Sequence, residues 1–387
     1  MAYDRDLAFV YRNPTKLVFG ENCINEIGAE IGILKCKKAF VVTDKGVVAA
    51  GLAGRVEKAL GSNHAGTFDE CVQDSDLRII NKVAEIARSK GADVLVSVGG
   101  GSVIDTTKGA AIVLKEGGKI QDIAGYQMLS RPQTPHIVIP TTAGTGSEVT
   151  NAAVVKDQEE HRKLEIVDDN IYPNVGMLDP TLTVGLPPGL TATTGMDAMC
   201  HAIESMHNIQ AHPIVDAWAL HAIRLIVKYL PRCVENGKDL FARGQQLAAA
   251  TIAGVAFTSS QVAMVHALAH SLGGLFKVPH GLANSILLPH VVRFNADACG
   301  DKYAMIANAM GLDMKEITDE NAGEAVASAL TAFTKKMGVP QKLREVGVSE
   351  GGLLQVAELA MGQAPMVVNP RPVSDATEAL GVLKNAW

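Results

Sequence analysis

Residues 93–102 have the sequence DVLVSVGGGS, and this stretch decides the fold class of the chain. The apolar run from Val94 to Val98 is rich in β-branched residues and predicts a short buried strand. Three glycines and a serine follow it directly, and a helical pattern begins after them. A strand that passes through a glycine turn into a helix is the opening of a βαβ unit, so we expect a parallel sheet.

The same pattern recurs on both sides of this stretch. Ala39–Thr43 predicts a buried strand that ends in Asp44, and His136–Pro140 predicts another that runs into a Thr/Gly-rich turn. Between strands, residues 76–90 place apolar side chains at helical spacing. Alternation of strands and helices predicts a parallel sheet covered by helices on both faces.

The pattern changes after the breaker sequence LPPG at residues 186–189. From there on the periodicity is helical, and the predicted helices span 192–207, 213–229, 240–258, 263–272 and 283–294. We therefore predict an α/β domain over residues 1–185 and an all-helical domain over residues 186–387, with a cleft between them.

Composition narrows the class of protein. The chain has 387 residues, 47% of them apolar, and a net charge of −6. With no basic surplus and only 4% aromatic residues, a nucleic-acid partner is not expected. Six scattered cysteines without CxxC spacing and a charged N-terminus favour a reduced, cytoplasmic protein. Residues 244–276 carry no charge, but their glutamines, serines and histidines favour buried helices over a membrane span.

The glycine turns predict a nucleotide phosphate site. The residues of the first turn, Gly99 to Ser102, leave room for a ligand beside the N–H groups of a helix start, which bind phosphate. A second turn, residues 141–148, follows the next predicted strand, and ligands bind at the carboxyl ends of parallel strands. Asp44 at a strand end can accept from ribose hydroxyls. A tight structural turn, and a helix-capping role for Asp44, remain open at this point.

Histidines are concentrated in the helical half. Eight of the eleven lie between His201 and His290. Asp197 and His201 are four residues apart on one predicted helix, His266 and His270 on another, and His280 follows. Spacing of four places two side chains on one helix face, where both can bind one metal. One carboxylate and three imidazoles suit Fe²⁺, Zn²⁺ or Mn²⁺ with a position for substrate oxygen, although each histidine taken alone suits a core or surface role.

Assembled in order, these motifs resemble the iron-dependent (group III) alcohol dehydrogenase family over essentially the whole chain. The matching segments are GGGS at 99–102 with Asp105 and Lys108, TTAGTGSE at 141–148, TGMDA at 194–198 with HAIE at 201–204, HALAH at 266–270 with LGG at 272–274, PHG at 279–281 and LLPH at 287–290. Members that act on lactaldehyde, 1,3-propanediol and methanol look most similar.

The resemblance implies a metal-dependent enzyme that transfers hydride between NAD(H) and a small primary alcohol, diol or aldehyde. It implies a metal, Fe²⁺ or alternatively Zn²⁺, held by Asp197, His201, His266 and His280. It also implies proton transfer at His270, a substrate pocket at Phe257 and assembly as a homodimer or higher homo-oligomer. The dinucleotide contacts that it implies are Asp44, Gly99, Gly100, Gly101, Ser102, Thr141, Thr142, Thr145, Thr150, Lys163 and Leu182.

The chain departs from the family pattern in two places. Residues 73–76 are QDSD where the family often has Pro-Asn-Pro-Thr, so a ribose contact falls to Asp74 or is absent. Residues 362–368 lack the acidic and threonine residues found near the pocket in relatives.

A zinc-dependent glycerol dehydrogenase of the same fold is the alternative, but such enzymes lack the histidine that stands here at His201. A dehydroquinate-synthase-like lyase would need basic residues in 244–276, and a non-enzymatic metal protein would not need the glycine turns.

Overall fold

The computed structural model describes residues 7–158 and 162–387, without the side chains of residues 162 and 163. The described part of the first half of the chain contains nine strands: β1 Lys16–Phe19, β2 Ala39–Val42, β3 His64–Phe68, β4 Val94–Gly99, β5 Gly125–Tyr126, β6 His136–Pro140, β7 Ala152–Asp157, β8 Arg162–Val167 and β9 Val175–Leu178. Six of them form one sheet in the order β1-β9-β6-β4-β2-β3, and every pair in it is parallel. The predicted parallel sheet is confirmed.

Helices cover both faces of this sheet. The helices of the first half are α1 Ile27–Ile33, α2 Lys45–Ala49, α3 Leu52–Leu60, α4 Leu77–Ser89 and α5 Gly101–Glu116. Within β2, Val41 packs in a core with residues of α1 and α3, whereas Phe40 and Val42 pack in a second core with α4 and α5. Because successive strand residues point to opposite faces, a strand buried on both sides is apolar throughout, which explains the unbroken runs in the sequence.

A second, three-stranded sheet was not predicted. Its order is β5-β8-β7, with β7 and β8 antiparallel and β5 parallel to β8. Strand β5 is only two residues long, and β7 and β8 include Lys156, Asp157 and Arg162. A two-residue strand carries too little pattern to be predicted, and charged residues interrupt the apolar runs of β7 and β8.

After β9 the described chain is helical, as predicted. The remaining helices are α6 Pro188–His207, α7 Pro213–Glu235, α8 Leu240–Ser260, α9 Met264–Phe276, α10 His280–Phe294, α11 Gly300–Ala309, α12 Ala322–Lys336, α13 Leu353–Met361, α14 Ala364–Val367 and α15 Ala376–Ala386. The predicted fold class, an α/β part followed by an all-helical part, is confirmed. Most residues of α9 are buried, as the uncharged sequence led us to expect.

No single helix among the described residues is long and apolar enough to cross a membrane. Helices α8 and α9 together reach that length and apolar character, but they meet at a bend of 103°.

The chain forms two compact units. The strand unit comprises Asn13–Leu186 and Gly237–Thr251, and the helical unit comprises the described residues up to Arg12, Pro187–Asn236 and Ile252–Trp387. The main division thus falls between Leu186 and Pro187, one residue from the boundary proposed from sequence, but 237–251 groups with the strands.

Side-chain contacts explain this regrouping. Arg243 donates to the carbonyl of Leu186 at 3.1 Å, and Thr251 donates to Glu148 at 2.5 Å. At the other end of the chain, the ring of Phe9 stacks on His212 with centroids 4.0 Å apart, which places the N-terminal segment in the helical unit.

Candidate metal centre and cofactor site

The two glycine-rich turns meet at the carboxyl ends of adjacent strands, as expected. Gly99 is the last residue of β4, and its carbonyl accepts from the N–H of Thr141, which follows β6. A Cβ on Gly100 would lie 3.2 Å from Thr142 Oγ1, and a Cβ on Gly101 would lie 2.8 Å from Thr145 Cγ2. Any larger side chain would fill the space between the turns, so glycine keeps the backbone of the α5 N-terminus accessible.

Two aspartates that are candidates for a ribose contact lie near the first turn. The backbone N–H of Asp74 donates to Ser102 Oγ at 3.1 Å. Asp44 directly follows β2, the neighbour of β4, and its Oδ1 accepts from Val47 N–H at 2.9 Å. Asp44 therefore caps α2, which was the alternative left open by the sequence.

Of the other residues that were candidates for dinucleotide contacts, two are buried among residues of the strand unit. Thr150 is buried, and both its carbonyl and its Oγ1 accept from Lys108 Nζ at 2.8 Å. Leu182 is buried in the core that contains α1 and α3. The side chain of Lys163 lies outside the described part of the structure.

Burial lowers the pKa of Lys108 to about 8, although Asp105 and Glu148 act in the opposite direction. Its three acceptors, two on Thr150 and the carbonyl of Ala152, satisfy the three donors of an ammonium group. Lys108 thereby ties α5 to the start of β7, which fixes the helix whose N-terminus forms the first turn.

The predicted metal ligands converge within the helical unit. Asp197 and His201 lie one turn apart on α6, His266 lies on α9, and His280 is the first residue of α10. From Asp197 Oδ1, the Nε2 atoms of His201, His266 and His280 are 4.0, 3.9 and 3.5 Å away. Ligand atoms of the first three all lie within 4.8 Å of one another. One carboxylate and three imidazoles at this separation form a donor set for a first-row divalent metal.

The surroundings of Asn284 are a second observation that these residues suit a metal ion. It is buried on α10, one turn after His280. Its Nδ2 donates to Asp197 Oδ1 at 2.7 Å and lies 3.1 and 3.3 Å from the Nε2 atoms of His280 and His266. An amide has only two N–H bonds, so three acceptor atoms converge on one donor. A site lined in this way favours a positive charge at its centre.

The pKa shifts of two buried carboxylates, Asp197 and Glu204, agree with a site for a cation. Burial alone would raise the pKa of Asp197, but His201, His280, His266 and the hydrogen bond from Asn284 hold it below its ordinary value. For Glu204, burial is likewise opposed by His266, and the pKa lies below its ordinary value. Both carboxylates are therefore anionic at neutral pH.

The candidates for catalysis and substrate binding lie beside the ligand rings. His270 stacks on His280 with ring centroids 5.3 Å apart. Phe257 stacks on His201 with centroids 4.3 Å apart. The structure thus brings both residues, named from the resemblance to the family, next to the candidate ligands.

Sequence reasoning gave no role to two buried residues of this centre, Asn284 and Glu204. Asn284 is four residues after His280, and Glu204 is seven after Asp197, so both continue a helix face that already carries ligands. That spacing is the signal that the sequence offers for them. It is weak, because a polar residue on such a helix face is equally compatible with solvent exposure.

Comparison with known proteins identifies the family. A family model described as iron-containing alcohol dehydrogenase matches residues 14–180, and one described as the C-terminal part of the Fe-containing alcohol dehydrogenase family matches residues 191–387. The chain belongs to the iron-containing alcohol dehydrogenase family. The resemblance inferred from the sequence motifs is confirmed.

Similar proteins agree with this assignment over the full chain. The enzyme is 36% identical over 375 residues to the NAD-dependent methanol dehydrogenase of Bacillus methanolicus, covering 96% of this chain and 98% of that protein. It is 35% identical over 376 residues to the lactaldehyde reductase of Escherichia coli strain K12, covering 95% and 97%. A crystal structure of a 1,3-propanediol oxidoreductase matches with a TM-score of 0.95 and 36% identity, covering 98% and 100%. The predicted enzyme class, an alcohol dehydrogenase that uses NAD and iron, is confirmed at the level of the family.

Proposed function

We propose that this dehydrogenase transfers hydride between NAD(H) and a small, uncharged primary alcohol, diol or aldehyde, with Fe²⁺ held by Asp197, His201, His266 and His280. The observation that carries the proposal is the convergence of these four side chains on one centre, where Asp197, His201 and His266 are buried and His280 is partly exposed. When bound, the metal supplies Lewis acidity at the substrate oxygen and the dinucleotide supplies the hydride chemistry.

The residues around the ligands have distinct tasks in this proposal. Asp197 contributes the negative charge that anchors the cation. His270, stacked on His280, takes up the hydroxyl proton at an imidazole nitrogen during oxidation and returns it during reduction. Phe257, against His201, presents an apolar surface to the carbon skeleton of the substrate.

The dinucleotide is proposed to bind on the strand unit. Gly99, Gly100, Gly101 and Ser102 would hold the pyrophosphate at the N-terminus of α5, with Thr141, Thr142 and Thr145 lining the facing turn. Asp44 and Asp74 would accept from ribose hydroxyls. Thr150, Lys163 and Leu182 complete the proposed set. Since Asp44 would repel a 2′-phosphate, we propose NAD rather than NADP.

The uncharged surroundings of the proposed metal ligands support an uncharged substrate. Residues 244–276, which include Phe257, His266 and His270, contain no Lys, Arg, Asp or Glu. A carboxylate or phosphate on the substrate would have no cationic partner from this segment. The relatives named above as methanol dehydrogenase, lactaldehyde reductase and 1,3-propanediol oxidoreductase support small uncharged substrates.

We further propose a cytoplasmic homo-oligomer. The six cysteines are all free thiols, which suits a reducing compartment. Edge strand β1 exposes Leu17 at 44% and Phe19 at 52%. Among the described strands β1 pairs with β9 alone, and an apolar sheet edge of this kind favours association with a second copy.

The proposed function is tested with metal-free protein reconstituted anaerobically with Fe²⁺ or Zn²⁺ and assayed for NAD reduction with a panel of primary alcohols and diols. We expect Fe²⁺ to restore activity toward small uncharged alcohols. Restoration by Zn²⁺ alone, with glycerol as the preferred substrate, would favour the zinc-dependent polyol dehydrogenase instead.

The ligand set is tested with His266→Ala, matched to His221→Ala at an exposed position on α7. We expect the first variant to lose bound metal and activity together and the second to keep both. Full metal content and activity in His266→Ala would refute the proposed centre.

A further inference from the structure

Glu204 is a fully buried carboxylate that lies directly behind the candidate metal centre. Its relative exposure is 0%, and it lies on α6, seven residues after Asp197 and three after His201. A carboxylate is costly to bury unless hydrogen-bond donors satisfy it. The partners of Glu204 therefore indicate its role.

Both oxygens of Glu204 accept from the first turns of α9. Oε1 accepts from the backbone N–H of Val265 at 2.6 Å, and Oε2 contacts Nδ1 of His266. The Val265 N–H belongs to the first turn of the helix, where backbone N–H groups have no intrahelical acceptor. Glu204 thus anchors the start of α9 and one proposed ligand at the same time.

The contact with Nδ1 has a consequence for the opposite ring nitrogen. A carboxylate accepts but does not donate, so His266 must carry its proton on Nδ1. The Nε2 lone pair is then available, and Nε2 is the atom that lies 3.9 Å from Asp197 Oδ1. In metal sites such an outer carboxylate fixes the tautomer and the ring orientation of a ligating histidine.

We propose that Glu204 is a positioning residue that holds His266 in the Nδ1–H tautomer and aims its Nε2 at the metal. This inference rests on the proposed role of His266 as a ligand. It extends the metal centre from α6 by one further turn, so that one helix supplies two ligands and orients a third.

The start of α9 has supports other than Glu204. Ser260 Oγ donates to the carbonyl of Ser205 at 2.9 Å, and Asn208 Nδ2 donates to the carbonyl of Gln261 at 2.8 Å. These bonds fasten the turn before α9 to the last turn of α6. Loss of the Glu204 carboxylate should therefore disturb His266 without detaching the helix.

The test is Glu204→Gln, which keeps the shape of the side chain but replaces one acceptor oxygen with a donor. Either Val265 N–H or His266 Nδ1–H then loses its acceptor, or His266 shifts its proton to Nε2 and cannot bind through that atom. We expect affinity for Zn²⁺, measured by chelator competition on metal-free protein, and for Fe²⁺, measured anaerobically, to fall by about 10- to 100-fold.

The matched control is Glu30→Gln, which removes a buried carboxylate that accepts from Lys16 in the strand unit. It should keep wild-type metal affinity. Titration with NAD should be unchanged in both variants, since neither residue belongs to the proposed cofactor site. Wild-type metal affinity in Glu204→Gln would overturn the proposal.

A measurement on the unaltered enzyme covers the case in which Glu204→Gln does not fold. In zinc-loaded protein labelled with ¹⁵N-histidine, side-chain NMR should show the proton of His266 on Nδ1. A proton on Nε2 would overturn the inference. The two proposals fail separately, because metal retention by His266→Ala refutes the ligand set, whereas metal loss in His266→Ala with full binding in Glu204→Gln refutes only the role of Glu204.

Discussion

At the scale of single residues, Asp44 combines a structural task with a proposed binding task. One of its oxygens caps α2 through the N–H of Val47. The same carboxylate is proposed to contact the cofactor ribose and to repel a 2′-phosphate. A substitution that removes both properties at once would confuse stability with cofactor preference.

Asp44→Asn separates the two tasks. Asparagine caps helices about as well as aspartate, so the melting temperature should stay within error of the wild type. Removal of the negative charge should lower the ratio of kcat/KM for NAD to that for NADP by about tenfold, which corresponds to about 1.4 kcal/mol. Steady-state kinetics with both cofactors measures this ratio.

Asp44→Ala is the companion variant. It should change the cofactor ratio in the same direction and also destabilise the protein by about 1 kcal/mol, because the cap is lost. If both variants keep the wild-type preference for NAD, Asp44 does not select the cofactor.

At the scale of elements, helix α9 shows how termini are controlled. Glu204 accepts from the first turn of the helix, whereas the helix ends at Phe276 and is followed by Lys277, an exposed residue in the left-handed conformation with φ 56°. A residue with a Cβ is strained there by about 1 kcal/mol, and glycine is the usual choice at this position.

Lys277→Gly should therefore raise the free energy of unfolding by up to about 1 kcal/mol, as measured by urea denaturation of metal-free protein. Lys335→Gly is the control, because Lys335 is exposed in the last turn of α12 and glycine should destabilise that helix by up to about 1 kcal/mol. Equal effects of the two substitutions would contradict the argument from backbone conformation.

Elements differ in how well their sequences predict them. The central strands β2, β4 and β6 are buried on both faces, so their apolar runs are unmistakable. Edge strand β1 and the small sheet of β5, β7 and β8 are partly exposed, and they lack that signal. Their pairing depends on partners more than on composition.

At the scale of the whole molecule, buried histidines make stability depend on pH in both units. Burial lowers the pKa of His136 to about 3 in the strand unit, and the pKa values of His207 and His290 to about 4 in the helical unit. Unfolding returns each ring to an ordinary pKa near 6.5. Below that pH the unfolded chain binds more protons than the folded one, so acid favours unfolding.

The free energy of unfolding of metal-free protein should hence be highest above about pH 6.5 and fall as the pH drops toward 4, by about 2 to 3 kcal/mol for each of the three histidines. Urea denaturation at several pH values measures how steeply the free energy of unfolding changes with pH. The variant His136→Gln should show a smaller change. A free energy that stays constant between pH 7 and pH 5 would contradict the prediction.

Local sequence determined much of this protein. Apolar runs and glycine turns predicted the parallel sheet, and spacing of four residues paired Asp197 with His201 and His266 with His270 as candidates for one metal site. These patterns depend only on residues that are close together in the chain. The tertiary structure decided the rest: the grouping of 237–251 with the strands, the convergence of ligand atoms on Asn284, and the pairing of Glu204 with His266. Glu204 and His266 are 62 residues apart, and contacts over such distances depend on how helices pack, which spacing along one helix does not specify.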